Sequence, residues 1–148
     1  MRILLLVDIQ RSFSLNASQA FFKRVKREIN LFKKNEEPIV SVTMGVTENL
    51  IDSIAGQLFK YPKVMHVVKN HVDGGYDVAK IIDNQNWQFD EILVSGMYTC
   101  ECVFQTARSL GEIYTDKKVI IDKKLCHCHH IYRSDCVRPY TSPYVCII

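Results

Sequence analysis

At 148 residues, 47% hydrophobic and 24% charged, the chain is long enough to bury one sizeable core and too short for a second, so a single domain over residues 1–148 is expected. Four prolines and six glycines leave no composition for a long linker or a disordered tail. The formal charge of +3 excludes a strong nucleic-acid footprint. Lys23, Arg24, Lys26 and Arg27 cluster, but they alternate with the core positions of a helix and read as its solvated face, so no nucleic-acid partner is expected.

No apolar stretch reaches the roughly 20 residues of a membrane span, and "MRILLLVDIQ" has neither a full signal-peptide apolar region nor a small-residue cleavage site. Cys146 is third from the end, so the prenylation pattern is not met. A cytoplasmic location, no membrane partner and reduced thiols for the six cysteines are therefore expected.

In chain order, "RILLLVD" is a short continuous apolar run ending in Asp8, as expected of a strand buried on both faces. From Asn16 to Lys34, Phe22, Val25, Ile29 and Phe32 recur at helical spacing. "PIVSVTM" reads as a second strand opened by Pro38. Thr47 is a candidate cap for a helix through Leu50, Ile54 and Leu58, and Pro62 precedes a third strand, "KVMHVVK". Gly74 and Gly75 punctuate a loop before a short helix from Tyr76 to Ile82. "EILVSG" is a fourth strand, "GMYTCECVFQTAR" opens a helix that ends at Gly111, "KKVIID" is a fifth strand and "SPYVCII" a candidate sixth. Strands alternating with helices predict an α/β fold, a three-layer αβα Rossmann-like arrangement with a mostly parallel sheet of about five or six strands.

Ligands in such folds bind beyond the carboxyl ends of the strands, near a switch in strand order. That rule selects Asp8, Lys69 and the segment after Gly96. An acid, a lysine and a cysteine there make a covalent catalytic set. Cys102, at a helix start beside a cation, is expected to have its thiol pKa lowered from about 8.5, with Asp8 taking and returning a proton and backbone amides holding an oxyanion. Each residue also has a bland reading: Asp8 as a turn former, Lys69 as a surface lysine, Cys102 as a small buried hydrophobe.

Taken together, these residues resemble the isochorismatase-like cysteine hydrolases. The family's D-x-Q-x-x-F is matched by Asp8, Gln10 and Phe13, and its lysine after the third strand by Lys69 in "VVKNHVDGGYD". Its G-x-x-T-x-x-C-V-x-x-T-A is matched by Gly96, Thr99, Cys102, Val103, Thr106 and Ala107. The three motifs occur in the family's order and spread over most of residues 1–123. The resemblance implies Cys102 as nucleophile, Asp8 as general base and acid, Lys69 as its orienting partner, and Cys100 at a variable position. It also implies a cis peptide between Met97 and Tyr98 that aims the Tyr98 and Cys102 amides at the substrate oxygen. Gln10, Phe13 and Tyr98 are pocket candidates, although Gln10 and Phe13 serve equally well to orient the loop and fill the core. The implied reaction is cleavage of a small amide or ureido C–N bond through a thioester, in a homodimer or homotetramer.

The departures are informative. The family's nicotinamidases carry a metal-binding D-x-H after the second strand, where this chain reads "TMGVTENL". That argues against a nicotinamidase, and no metal or other cofactor is expected. Glu101 opposes thiolate formation if it faces inward. The cluster "CHCHH", with Cys126, Cys128, His129 and His130, offers zinc-type ligands without the second paired half of a structural site, even with Cys136 added. It reads as a loop with partly buried thiols. Two further readings stand beside the hydrolase: a catalytically silent small-molecule-binding or partner-binding member of the same fold, and a thiol or metal sensor built on "CECV" and "CHCHH".

Overall fold

The central apolar runs form strands because both faces of each are covered, and in the first strand alternate side chains divide between two cores. The third run is an edge strand that leaves Val68 47% exposed. The structure, a computed structural model, describes residues 1–14, 17–45, 49–128 and 142–148. Its elements are β1 (Arg2–Val7), α1 (Gln19–Lys34), β2 (Ile39–Met44), α2 (Asp52–Leu58), β3 (Val64–Lys69), α3 (Gly75–Asn84), β4 (Glu91–Met97), a π-helical turn (Thr99–Val103), α4 (Phe104–Ile113), β5 (Lys118–His127) and β6 (Val145–Ile147). In β1, Ile3, Leu5 and Val7 pack with Val78, Ile82, Ala107 and Leu110 of α3 and α4. Leu4 and Leu6 pack with Phe21, Val25, Ile29 and Phe32 of α1 and with Ile54 and Leu58 of α2. This is the expected three-layer α/β arrangement.

All six strands are parallel, in the order β3-β2-β1-β4-β5-β6. The direction of winding reverses between β1 and β4, which makes the carboxyl ends of these two strands the switch point. Asp8 follows β1 directly, and β4 ends at Met97. Lys69 is the last residue of β3 and lies opposite Met44 of β2. Among the described residues, no helix is long and apolar enough to cross a membrane.

Several element bounds differ from the sequence reading, each for a local reason. The first helix starts at Gln19, where the Ser18 side chain accepts a hydrogen bond from the Phe21 amide at 3.1 Å and so satisfies one of the free donors of the first turn. Leu50 is not helical: it forms an isolated antiparallel bridge with Gln10, and α2 begins two residues later. The proposed cap Thr47 lies outside the described residues. The fifth strand does not stop at Asp122. Its pairing with β4 jumps from Val94↔Ile121 to Gly96↔Cys126, so charged residues Asp122, Lys123 and Lys124 are taken up in a bulge and the strand resumes to His127. The Ser95 hydroxyl donates to the Leu125 carbonyl across this irregularity at 2.6 Å.

Gly96 is set by close approach: a Cβ there would lie 2.2 Å from the Val7 carbonyl oxygen. A side chain would push β1 and β4 apart at the switch point. Gly96→Ala is expected to lower the unfolding free energy by at least about 2 kcal/mol, read from the urea midpoint.

Candidate active site

The chain leaves β1 at Asp8 in a left-handed conformation, φ 52°, which aspartate tolerates better than most residues. Its amide donates to the Val42 carbonyl at 2.9 Å, and its carbonyl accepts from the Gln10 amide at 2.8 Å. The carboxylate is thereby fixed at the centre of the sheet edge and is wholly buried. Lys69 Nζ lies 2.8 Å from Asp8 Oδ2, with both side chains at 0% exposure. The ammonium also donates to the Val72 carbonyl at 2.7 Å. The Lys69 ammonium and the Cys102 thiol are the groups that face the Asp8 carboxylate.

The loop that supplies the Val72 carbonyl is anchored to the helices. Gly74 donates its amide to Thr106 Oγ1 at 3.0 Å, Gly75 donates to Asp73 Oδ1 at 2.8 Å, and the Ser109 hydroxyl donates to Asp73 Oδ2. Gly74 is also where the lysine needs space, since a Cβ there would meet Lys69 Cδ at 2.9 Å. In the sequence the paired glycines look like loop punctuation. Here one of them is the floor under the lysine stem.

The third member arrives from β4. Tyr98 turns the chain in a left-handed conformation, φ 58° and ψ 64°. Among the described residues there is no cis peptide bond, so Met97–Tyr98 is trans, which corrects the cis bond implied by the resemblance. The reversal is made by the Tyr98 dihedrals instead. Its carbonyl then accepts from Glu101 at 3.0 Å and from Val103 at 3.4 Å, amides on either side of Cys102. The turn is thus wider than the expected α-helix start, a form common at functional sites. Cys102 is buried in the same core as Val42, Val67 and Phe104, at 6% exposure. Glu101 is exposed and does not face inward.

Asp8, Lys69 and Cys102, distant in sequence, are therefore brought together, but the expected sign of the thiol shift is wrong. Burial and the neighbouring Asp8 carboxylate push the Cys102 thiol up from 9.0 to about 12, against the opposing pull of Lys69. Low dielectric penalises the thiolate, and the carboxylate both accepts from the thiol and repels its anion. Both effects favour the neutral thiol over the thiolate at Cys102.

The pocket candidates separate. Gln10 Nε2 donates to the Met44 carbonyl at 3.1 Å, and its Oε1 accepts from the Met44 amide at 2.7 Å. This side chain clamps the end of β2 to the loop after Asp8. Phe13 and Tyr98 are half-buried and meet edge to face at 5.1 Å and 84°, an apolar wall beside the turn that carries Cys102. A shallow groove of about 490 Å³, lined in part by Lys117, Lys118 and Tyr144, lies at the opposite, amino end of β4 and β5.

Of the cysteine–histidine cluster, Cys126 pairs beside Gly96 and His127 beside Met97, and the His127 ring lies 5.9 Å from Phe21. Among the described residues no group of three or more His, Cys, Asp or Glu is arranged to hold a metal ion. His129, His130 and Cys136 lie outside the described residues. The contact that sequence reasoning missed is between sulfurs: Cys100 Sγ and Cys128 Sγ are 3.3 Å apart. The bulge in β5 creates it, and nothing in the local sequence marks that bulge.

The thiol's environment gives a measurable ranking. At pH 8, iodoacetamide is expected to alkylate Cys102 at least about tenfold more slowly than exposed Cys146. Asp8→Asn is expected to speed Cys102, because loss of the carboxylate lowers the thiol pKa, and Lys69→Met to slow it further. Peptide mass spectrometry reads each rate. Fast labelling of wild-type Cys102 near pH 7 would mean that the thiolate is already formed.

No family model matches the sequence, and no curated protein matches it. Solved structures do match its fold. A nicotinamidase from Staphylococcus aureus superposes with a TM-score of 0.79 at 15% identity, covering 99% of this chain and 98% of the other. An N-carbamoylsarcosine amidase from Thermoplasma acidophilum gives 0.73 at 17%, with 99% and 94% covered. An isochorismatase family protein gives 0.71 at 19%, with 99% and 97% covered. Along nearly its whole length, the chain has the three-layer α/β fold that these isochorismatase-type hydrolases share.

Proposed function

We propose that the protein is a cysteine hydrolase that cleaves a small amide or ureido C–N bond. The observation that carries this reading is the fully buried Asp8–Lys69 ion pair beside the buried Cys102 thiol at the switch point of the sheet. A buried pair is weak evidence for stability, because desolvation offsets its attraction. Its place beside a thiol at the ligand-binding edge of the fold supports a chemical role.

In the proposed cycle the Cys102 thiol gives its proton to Asp8 as the sulfur attacks the substrate carbonyl carbon. The developing oxyanion accepts hydrogen bonds from backbone amides at the start of the Thr99–Val103 turn, the Cys102 amide among them. Collapse breaks the C–N bond, the amine leaves with the proton from Asp8, and an acyl thioester remains on Cys102. Asp8 then takes a proton from water, the resulting hydroxide equivalent releases the acid, and the proton returns to sulfur. Lys69 keeps Asp8 oriented and limits the cost of charge on the thiolate. Because the resting thiol is protonated, Asp8 acts as a general base in the attack step, and no preformed thiolate is needed.

Phe13 and Tyr98 suit a small, flat or apolar acyl group at the mouth of the site. A substrate of this class is in keeping with the nicotinamidase and the N-carbamoylsarcosine amidase named above, and a homodimer or homotetramer is part of the same proposal. Nicotinamide itself is disfavoured by the missing histidines after β2.

The test is ammonia or amine release from a panel of primary amides and ureido acids by purified protein. Cys102→Ala and Asp8→Asn are expected to lose at least about 100-fold in rate while keeping the wild-type circular dichroism, and Cys100→Ala to keep its activity. Folded wild-type protein that turns over no member of a broad panel would put the binding module ahead of the hydrolase.

A further inference from the structure

The proposed hydrolytic cycle makes no use of Cys100, yet its thiol is placed as if for a partner. Cys100 is 8% exposed, inside the Thr99–Val103 turn and two residues before Cys102. Cys128 is half-buried immediately after β5. Their sulfurs are 3.3 Å apart, so a disulfide of about 2.0 Å needs an approach of only roughly 1.3 Å. The residues are 28 positions apart and sit on different elements. Their bond would tie the nucleophile turn to the end of β5, where Cys126 and His127 already pair with Gly96 and Met97.

We propose that Cys100 and Cys128 form a redox-sensitive dithiol that closes to a disulfide by exchange with a low-molecular-weight disulfide and thereby shuts off access to Cys102. The more exposed Cys128 reacts first: as its thiolate it attacks one sulfur of the small disulfide RSSR, forming a mixed disulfide and releasing RSH. Cys100 then attacks the Cys128 sulfur, the protein disulfide forms, and a second RSH leaves. Two protein thiols are oxidised, one RSSR is reduced to two RSH, and the reverse exchange restores the dithiol. Cys102 is buried, so a reagent or substrate reaches it when the turn opens locally. A cross-link from the turn to β5 makes such openings rarer. The effect on turnover rests on the reading of Cys102 as nucleophile, but the bond and its shielding of Cys102 do not.

The experiment equilibrates the protein with mixtures of oxidised and reduced glutathione, quenches with acid, and maps disulfides by differential alkylation and peptide mass spectrometry. The Cys102 iodoacetamide rate is timed on the oxidised and the reduced protein. Wild type is expected to yield a Cys100–Cys128 cross-linked peptide and Cys102 labelling at least fivefold slower when oxidised. Cys128→Ser, and independently Cys100→Ala, are expected to show neither. The proposal is overturned if the cross-linked peptide does not form, if it forms without slowing Cys102, or if the slowing persists in Cys128→Ser. None of these readouts depends on substrate, so an inactive protein that passes them would reject the hydrolase reading and leave the switch standing.

Discussion

The buried ion pair between Asp8 and Lys69 is the constraint around which the rest of the site is arranged. Two opposite charges with no exposed surface are a costly thing to fold around, and losing either partner leaves the other uncompensated at about 3–5 kcal/mol. The sequence therefore has to deliver an acid to the end of β1 and a lysine to the end of β3 with little positional slack. It does so with local devices: the left-handed turn at Asp8, the Gln10 clamp on Met44, the Val72 carbonyl that takes a second ammonium proton, and the missing Cβ at Gly74. Each holds backbone or charge at the carboxyl edge of the sheet.

That arrangement decides how the thiol must work. A cysteine at an exposed helix start beside a lysine would rest as a thiolate. Cys102 instead sits within a π-helical turn, buried from water, with a carboxylate closer in influence than the cation. The lysine spends its charge on Asp8, so the anion on the sulfur gains little from it. In the proposed cycle, charge separation waits until a substrate carbonyl is in place.

Much of this was legible in the sequence. Parallel strands write themselves as apolar runs, continuous where both faces are buried as in "RILLLVD" and "EILVSG" and interrupted by His66 in the edge strand "KVMHVVK", and their last residues name the edge where Asp8 and Lys69 meet. What did not show was set by tertiary context. "DKKL" breaks the apolar run of β5, and only pairing with Ser95 and Gly96 reveals that the strand continues past it to bring Cys128 against Cys100. Leu50 fits a helical spacing yet pairs with Gln10. The conformation at Tyr98 and the direction of the Cys102 shift depend on neighbours that periodicity does not encode, and Gln10 looks like a pocket residue until the Met44 backbone claims both ends of its amide.

The central claim is that the buried pair is kept for chemistry and not for stability, and the double variant Asp8→Asn/Lys69→Met tests it most directly. This change removes both charges while keeping the shapes, and asparagine tolerates the left-handed turn. Urea unfolding of the double variant beside the two single variants and wild type is the measurement. Each single change is expected to be destabilising, and the double variant to recover to within about 1 kcal/mol of wild type or above it. A double variant as unstable as the worse single variant would contradict it, because the pair would then be a structural tie that the fold needs.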